Sequence, residues 1–507
     1  MKKIQFSKMN LNRVIFTLLV ILSTVSCSDE ILNKVPVTEI TAETISTEDR
    51  VVQAVNAAYD PLQWRFIKNA ETFPQMFQDV RADDLHSQQA NFWGNGAVWD
   101  QFATITPTNQ AVAELWQKWY TGIGRANFAM EIAQEFDGYK TNGLKERIIA
   151  EAKFLRGFYY FELVKQFGDV PLFLNAIRTT NDPLYLPRSP IATVYAQIEK
   201  DLSEAAAVLP KKGESQDMWR ATSGAALGIL AKAQLYQGKY AATVATCQKI
   251  MTHGYQLEPV FADNFELTNE FGKESIFEIN YVDGIPNEGS LSWQYMFMWA
   301  GGKYTSYGNM IPRQSLIAIY DNSDQRKKAT FIRPGDNLNS PGLANLGWNP
   351  APANFGFNVG SNAMCKKFFL TYEEVDKLLA VNNSPKNEKI VRYADVLLMY
   401  AEASLLGGGG NGAAAFKQVV DRAYGTSNPA APAYNLAGVK AERRRELATE
   451  GWDRFTDLVR WGDIQAAMTA VGKTDFNINR DKLLPIPAAE IRLSNNLLTQ
   501  NPNYPTN

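Results

Sequence analysis

Apolar positions recur every three or four residues over long stretches of the chain, the period that places them on one face of a helix. Leu144, Ile148, Ala152, Leu155, Tyr159 and Leu163 form one such stripe, and Phe154, Phe158 and Phe161 load the other faces. This helix is therefore expected to be covered on several sides. Ser189-Pro190 reads as an N-cap with proline at the first helical position, opening a helix over Ile191–Leu209 that Pro210 closes. Further helices are expected over Thr222–Tyr236 and Tyr240–Met251, broken at Gln237-Gly238-Lys239. Ile390–Leu406 and Ala413–Tyr424 repeat the arrangement around Gly407-Gly408-Gly409-Gly410. Small residues such as Gly224, Ala225, Ala231 and Ala233 let neighbouring helices approach closely.

Helix pairs with short turns and small residues resemble tetratricopeptide units, with no strict self-similar period. Between the helical blocks, residues 263–385 are rich in Gly, Asn, Pro and aromatics, with short strand-like pieces such as Glu274–Tyr281. The fold expected is mainly α: tetratricopeptide-like pairs form a scaffold for a loop-rich, partly β insertion that bears the binding face. The boundaries fall at about 27–262 for the N-terminal helical part, 263–385 for the insertion and 386–507 for the C-terminal helical part. With 507 residues, 45% of them hydrophobic and 12% aromatic, the chain can bury a large core. A net charge of −2 and no basic stripe speak against a nucleic-acid partner and favour an uncharged one.

The first residues form a secretory leader. Lys2, Lys3, Lys8 and Arg13 precede the apolar run Val14–Leu22, then Ser23-Thr24-Val25-Ser26 leads to Cys27. The run is shorter than the roughly 20 apolar residues a spanning helix needs. The layout resembles the lipobox of bacterial lipoproteins, with Thr24 where Leu is usual. Residues 1–26 then form the signal peptide, and Cys27 is the lipidated first residue of the mature protein. Ser28-Asp29-Glu30 looks like the tag that sends lipoproteins of the Bacteroidota to the outer face of the outer membrane. The remaining Cys247 and Cys365 read as buried free thiols.

Candidate chemistry concentrates in two clusters. One holds Arg81, Asp83, Asp84, His86, Gln88, Gln89 and Asn91, with Trp93 and Trp99 among glycines; the other holds Trp293, Tyr295, Trp299, Tyr304 and Tyr307, with Asn309, Arg313 and Trp348 beyond. Open aromatic rings stack on the C–H faces of sugars, and Asn, Asp, Gln and Arg bond their hydroxyls. The nominated glycan contacts are Trp93, Trp293, Trp99, Trp299, Tyr295, Tyr304, Trp348, Arg81, Asp83 and Asn91. Each ring also reads as core, where large aromatics usually sit. Catalysis finds no motif: His86 and His253 lie in no H-E-x-x-H pattern, the Gly407 run lacks a P-loop lysine, and no G-x-S-x-G elbow occurs. No metal or other cofactor is expected. With 53 acidic residues some pair will always stand at glycosidase distance, so carboxylates such as Asp83 and Asp84, which can be imagined as a pair, prove nothing alone.

Several segments are similar to the SusD/RagB family: Phe154–Leu163 followed by Phe167-Gly168-Asp169-Val170-Pro171-Leu172; Ile390–Ala403; Glu442–Ala448 running on through Gly451, Arg454, Phe455, Asp457–Arg460 and Trp461; and Leu484-Pro485-Ile486-Pro487 with Gln500–Tyr504. Asn503 stands where the family usually has Gly. The pairs Glu450/Arg454 and Asp457/Arg460 have spacings that meet on one helix face. The resemblance implies a non-enzymatic surface lipoprotein, held in the outer membrane by its lipid and facing outward. Such a protein captures oligo- or polysaccharide and hands it to a SusC-like TonB-dependent transporter. The alternatives are a lipid-anchored glycoside hydrolase using the same rings as subsites, a binder of peptides or glycoproteins, and a helical adaptor whose aromatics lie in a protein interface.

Overall fold

A computed structural model of the protein describes residues 47–64, 73–87, 96–179, 181–215, 217–285, 289–290, 298–299, 306–307, 310–336, 361–371, 374, 377–379 and 384–505. Cys27 and the leader lie outside them.

Helix α1 (Glu48–Tyr59) starts where the Thr47 hydroxyl accepts from the Arg50 amide. Asn109 caps α2 (Gln110–Glu135) in the same way, and α3 (Leu144–Phe167) follows. From Glu151 onward nearly every residue of α3 is buried, as its all-round apolar pattern requires. Helix α4 (Ile191–Val208) starts at the expected Ile191, but the cap differs: Ser189 belongs to a two-residue ladder with Val170–Pro171, and Pro190 takes the cap position. Helices α5 (Ser223–Tyr236) and α6 (Tyr240–Met251) flank the expected turn, where Gly238 has φ +71°. Each helix from α2 to α6 packs on the next, and α6 then packs on α7 (Tyr393–Ala403). The stack thus continues through space although 141 residues separate α6 from α7 in sequence. Helices α8 (Gly412–Tyr424), α9 (Leu436–Leu447) and α10 (Arg454–Trp461) complete it.

One expected helix is corrected. Residues 390–392 are not helical: Glu388–Arg392 is a strand that pairs antiparallel with Ser275–Ile279, with irregular register at Val391. The β-branched pair Ile390-Val391 fits that half-sheet, and the helix starts only at Tyr393. In chain order the strands used below are β1 (Leu85–Ser87), β2 (Ser275–Ile279), β3 (Met298–Trp299), β4 (Ser306–Tyr307), β5 (Met310–Pro312), β6 (Phe331–Ile332), β7 (Met364–Cys365) and β8 (Glu388–Arg392). They form two-stranded ladders only: β1 with β5, β2 with β8, β3 with β4, and β6 with β7.

A buried ionic hub fastens these ladders to the helices. Arg392 of β8 reaches Glu450 (2.9 and 2.7 Å), Glu274 (2.6 Å) and Glu446 of α9 (2.8 Å). Lys367 adds a second contact to Glu450 at 2.7 Å, and Arg326 joins Glu446 (3.0 Å), Glu442 (2.7 Å) and Asp324 (2.8 Å). Burial alone would raise the Glu446 carboxyl, but Arg422, Arg392 and Arg326 hold it well below the ordinary carboxylate range. The expected Glu450–Arg454 pair does not form. Gly451, at φ +85° and where a Cβ would collide with the Gln75 backbone, turns the chain between them, so Arg454 faces Asp83 instead. Asp457 and Arg460 do pair, at 2.7 Å. Cys247 and Cys365 are buried free thiols.

Candidate functional site

Strand β1 ends at Ser87, directly opposite Met310 of β5. Segment 88–95 leaves at that point, and segment 308–309 arrives beside it. The Ser361 hydroxyl donates to the Pro312 carbonyl, at the Leu85 end of the same ladder, and the Cys365 thiol lies 3.9 Å from the Met310 carbonyl. Ser87, Met310 and Ser361, the described residues that border the stretches carrying Trp93, the 293–304 aromatics and Trp348, thus gather on one short ladder.

The patch is held by charge. Asp100 receives His86 Nδ1 at 2.6 Å, Arg313 Nη2 at 2.8 Å, Lys473 Nζ at 2.8 Å and the Ser87 amide at 3.3 Å. Arg313 also donates to the Leu85 carbonyl at 3.0 Å and, through its amide, to the Asp84 carbonyl at 2.9 Å. Burial would raise the Asp100 carboxyl, but the His86 bond and the charges of Lys473 and Arg313 outweigh it and hold the group well below the usual range. Burial pushes Lys473 down to about 8, against the pull of Asp100. Asp83, chelated by Arg454 at 2.8 Å through both oxygens and by Arg444 at 3.0 Å, is brought down to about 2 by those arginines despite burial. A depressed carboxyl stabilises the fold above its unfolded pKa of about 4, and that contribution is lost as pH falls toward the folded value. The midpoint of thermal unfolding is therefore expected to stay nearly level from pH 7 to 5 and to drop steeply from pH 4 to 2. Asp100→Asn should have a lower midpoint at pH 7 and a shallower acid decline. Parallel curves for the two proteins would refute the role given to Asp100.

Three nominated contacts are corrected. Trp99 is 0% exposed, its ring 6.1 Å from that of Phe77 in the core, and offers no face to a ligand. Arg81, also 0% exposed, spends its guanidinium on Gln166 (3.2 Å), the Asp481 carbonyl (2.7 Å) and the Phe455 ring. Asp83, 5% exposed, belongs to the arginine clamp just described. Trp93, Asn91, Trp293, Tyr295, Tyr304 and Trp348 lie outside the described residues. Trp299 is placed in β3, where its backbone pairs with Ser306 of β4. Sequence reading missed the anchoring roles of Asp100, Lys473 and Arg313; the signal available was an acid closing the first aromatic segment and an arginine closing the second, whereas Lys473 lies far from both in sequence.

Three cavities among the described residues bear on ligand binding. One of ≈30 Å³ lies inside the ionic core beside Asp79 and Asp84 and has room for a water but not for a sugar ring. A groove of ≈700 Å³ runs along α2, lined by Trp116, Tyr120, Phe128, Phe173 and Tyr185 and edged by Leu184, which is 64% exposed. The third, of ≈330 Å³, lies between α1 and the end of β2. No group of His, Cys, Asp and Glu among the described residues is arranged to hold a metal ion.

Comparison with known proteins places this architecture. A family model described as starch-binding and associating with the outer membrane matches residues 30–235, and the SusD family model matches residues 254–504. The chain belongs to the SusD/RagB family. SusD-like protein P25 of Formosa agariphila is 26% identical over 539 residues, spanning 97% of this chain and 98% of the relative. A solved laminarin-binding SusD-like protein matches at 27% identity and TM-score 0.74, over 90% of this chain and 100% of that one. Surface glycan-binding protein A of Bacteroides thetaiotaomicron in complex with laminarihexaose shares the fold at TM-score 0.76 and 24% identity, over 90% and 100% of the two chains. The SusD-like motifs are interior here: Phe154–Leu163 fills α3, Ile390–Ala403 forms β8 and α7, and Glu442, Arg443 and Glu446 are buried ion-pair partners. They specify the scaffold, not the ligand. Asn503, where the SusD/RagB pattern has Gly, sits at φ +64°, a left-handed conformation that Asn tolerates better than most residues.

Proposed function

We propose that this chain captures glycan at the cell surface and passes it, without cleaving it, to a SusC-like TonB-dependent transporter in the outer membrane. The observation that carries the reading is the common root of segments 88–95, 291–309 and 337–360 at Ser87, Met310 and Ser361. Aromatics distant in sequence thereby start from one place, as a site that stacks several sugar rings requires. The ligand-contact set proposed is Trp93, Asn91, Trp293, Tyr295, Trp299, Tyr304 and Trp348. A β-glucan of the laminarin type is the first probe, because a solved SusD-like relative is described as laminarin-binding.

Turnover is disfavoured on chemical grounds. A glycosidase needs a carboxylate free to carry a proton and a second to act as base or nucleophile. Asp83 and Asp84, the pair that sequence reading offered, are clamped by Arg444 and Arg454. Purified residues 28–507 are expected to be retarded in native gels containing laminarin or another polysaccharide, with no new reducing ends released. New reducing ends would establish the hydrolase reading instead, and no retardation on any polysaccharide would refute capture.

No helix among the described residues is long and apolar enough to cross a membrane. Attachment is assigned to an acyl chain on Cys27. Cys27→Ala protein is expected to fold normally and to leave the outer-membrane fraction; its retention there would contradict the assignment.

A further inference from the structure

The ≈330 Å³ pocket beside α1 is at the lower end of the size of ligand sites, about 300–1,000 Å³. None of its lining residues belongs to β1, β5, β6 or β7, the strands that root the aromatic segments. One wall is Trp219, half-buried in the turn before α5. Its ring meets Tyr59 edge-to-face at 5.2 Å and 76°, and the Arg220 guanidinium lies 4.2 Å from its centroid. Those neighbours are themselves fixed. The Tyr59 hydroxyl donates to Glu151 at 3.0 Å and accepts from the Ala221 amide at 3.0 Å, and Arg220 reaches Glu151 at 2.8 Å. The indole is thus held in place before any ligand arrives, which limits the ordering cost of binding.

The rest of the lining suits a neutral, hydroxyl-bearing partner. Asn56, Gln63 and Asn280 contribute amides, Gln63 being tied to the Asn280 carbonyl at 2.8 Å. The two acids in the lining are both ion-paired, Asp60 with Arg125 at 2.6 Å and Glu278 with Lys389. Asn56 Oδ1 is a buried acceptor that no protein donor satisfies. A buried acceptor left unpaired costs free energy, and turning the Asn56 amide to meet a ligand hydroxyl in the pocket would relieve it. A flat apolar wall beside an unsatisfied amide oxygen, in a pocket with its charge balanced, matches a pyranose: C–H groups on Trp219, a hydroxyl on Asn56.

We propose that this pocket is a second glycan subsite, taking a neutral sugar unit apart from the site rooted at Met310. It rests on the glycan-capture reading for its ligand class but shares no residue with that site. Two contacts on one polymer chain raise retention beyond either alone when the chain can span both.

Hydrogen exchange of residues 28–507 saturated in turn with laminarihexaose, maltohexaose and xylohexaose tests the proposal. With at least one probe, slower exchange is expected in peptides covering 213–222 and 277–283, lost in Asn56→Ala and in Trp219→Ala. Protection over 88–96 and 298–312 should persist in both variants. Asn56→Ala removes an acceptor with no protein partner, so its thermal midpoint should not fall, which keeps the test decisive if Trp219→Ala proves unstable. Protection confined to the Met310-rooted segments overturns the subsite and leaves the capture reading standing. Protection at the Trp219 pocket alone supports the subsite and removes the main site. No protection by any probe overturns both.

Discussion

Arg392→Ala is expected to lower the free energy of unfolding by about 3–5 kcal/mol, the range for removing one partner of a buried ion pair. The side chain is buried and answers Glu274, Glu446 and Glu450. Without it, three carboxylates from two separated parts of the chain face one another with Arg422, Arg326 and Lys367 as remaining cations. Glu274 leads into β2, Glu446 is in α9, and Glu450 precedes the turn to α10, so the loss loosens the join between ladder and helical stack. Urea or guanidinium midpoints measure the effect. A change under about 1 kcal/mol would mean that the hub is not what fastens the two parts.

The second large effect separates two tryptophans six residues apart. Trp93→Ala or Trp293→Ala is expected to weaken glycan retention by about thirtyfold or more, the loss of a binding hot spot of about 2 kcal/mol, with the thermal midpoint unchanged. Trp99→Ala is expected to do the reverse: it empties a core position against Phe77 and should cost about 3–5 kcal/mol of stability. Affinity gels run alongside thermal melts read both. Equal loss of stability in Trp93→Ala and Trp99→Ala would show that both rings are core and that the first cluster carries no ligand.

Those two tryptophans also mark how far the sequence can be read. Helix α6 runs over Tyr240–Met251 as its pattern and the Gly238 break indicate, because period and turn chemistry agree there. The run from Ile390 is apolar on every side, and a buried strand leading into a buried helix has the same composition as one helix; only pairing with β2 separates them. Trp93 and Trp99 share a Gly-flanked aromatic context, and what buries Trp99 is Phe77, brought up by long-range packing that no local pattern records. Arg81 and Asp83 looked like ligand contacts because their partners, Asp481 and Arg454, lie about 400 and 370 residues away in sequence. Trp219 drew no attention as a single aromatic in a polar turn; its significance comes from α1 and β2, which meet it only in the fold.

The central claim is that segments 88–95, 291–309 and 337–360 act together on one glycan. A crystal structure of residues 28–507 with a bound oligosaccharide, laminarihexaose first, tests it most directly. The sugar rings should lie across Trp93 and at least one of Trp293, Trp299 and Trp348, above Met310. A ligand seated in the α2 groove, with those rings turned into the core, would contradict it.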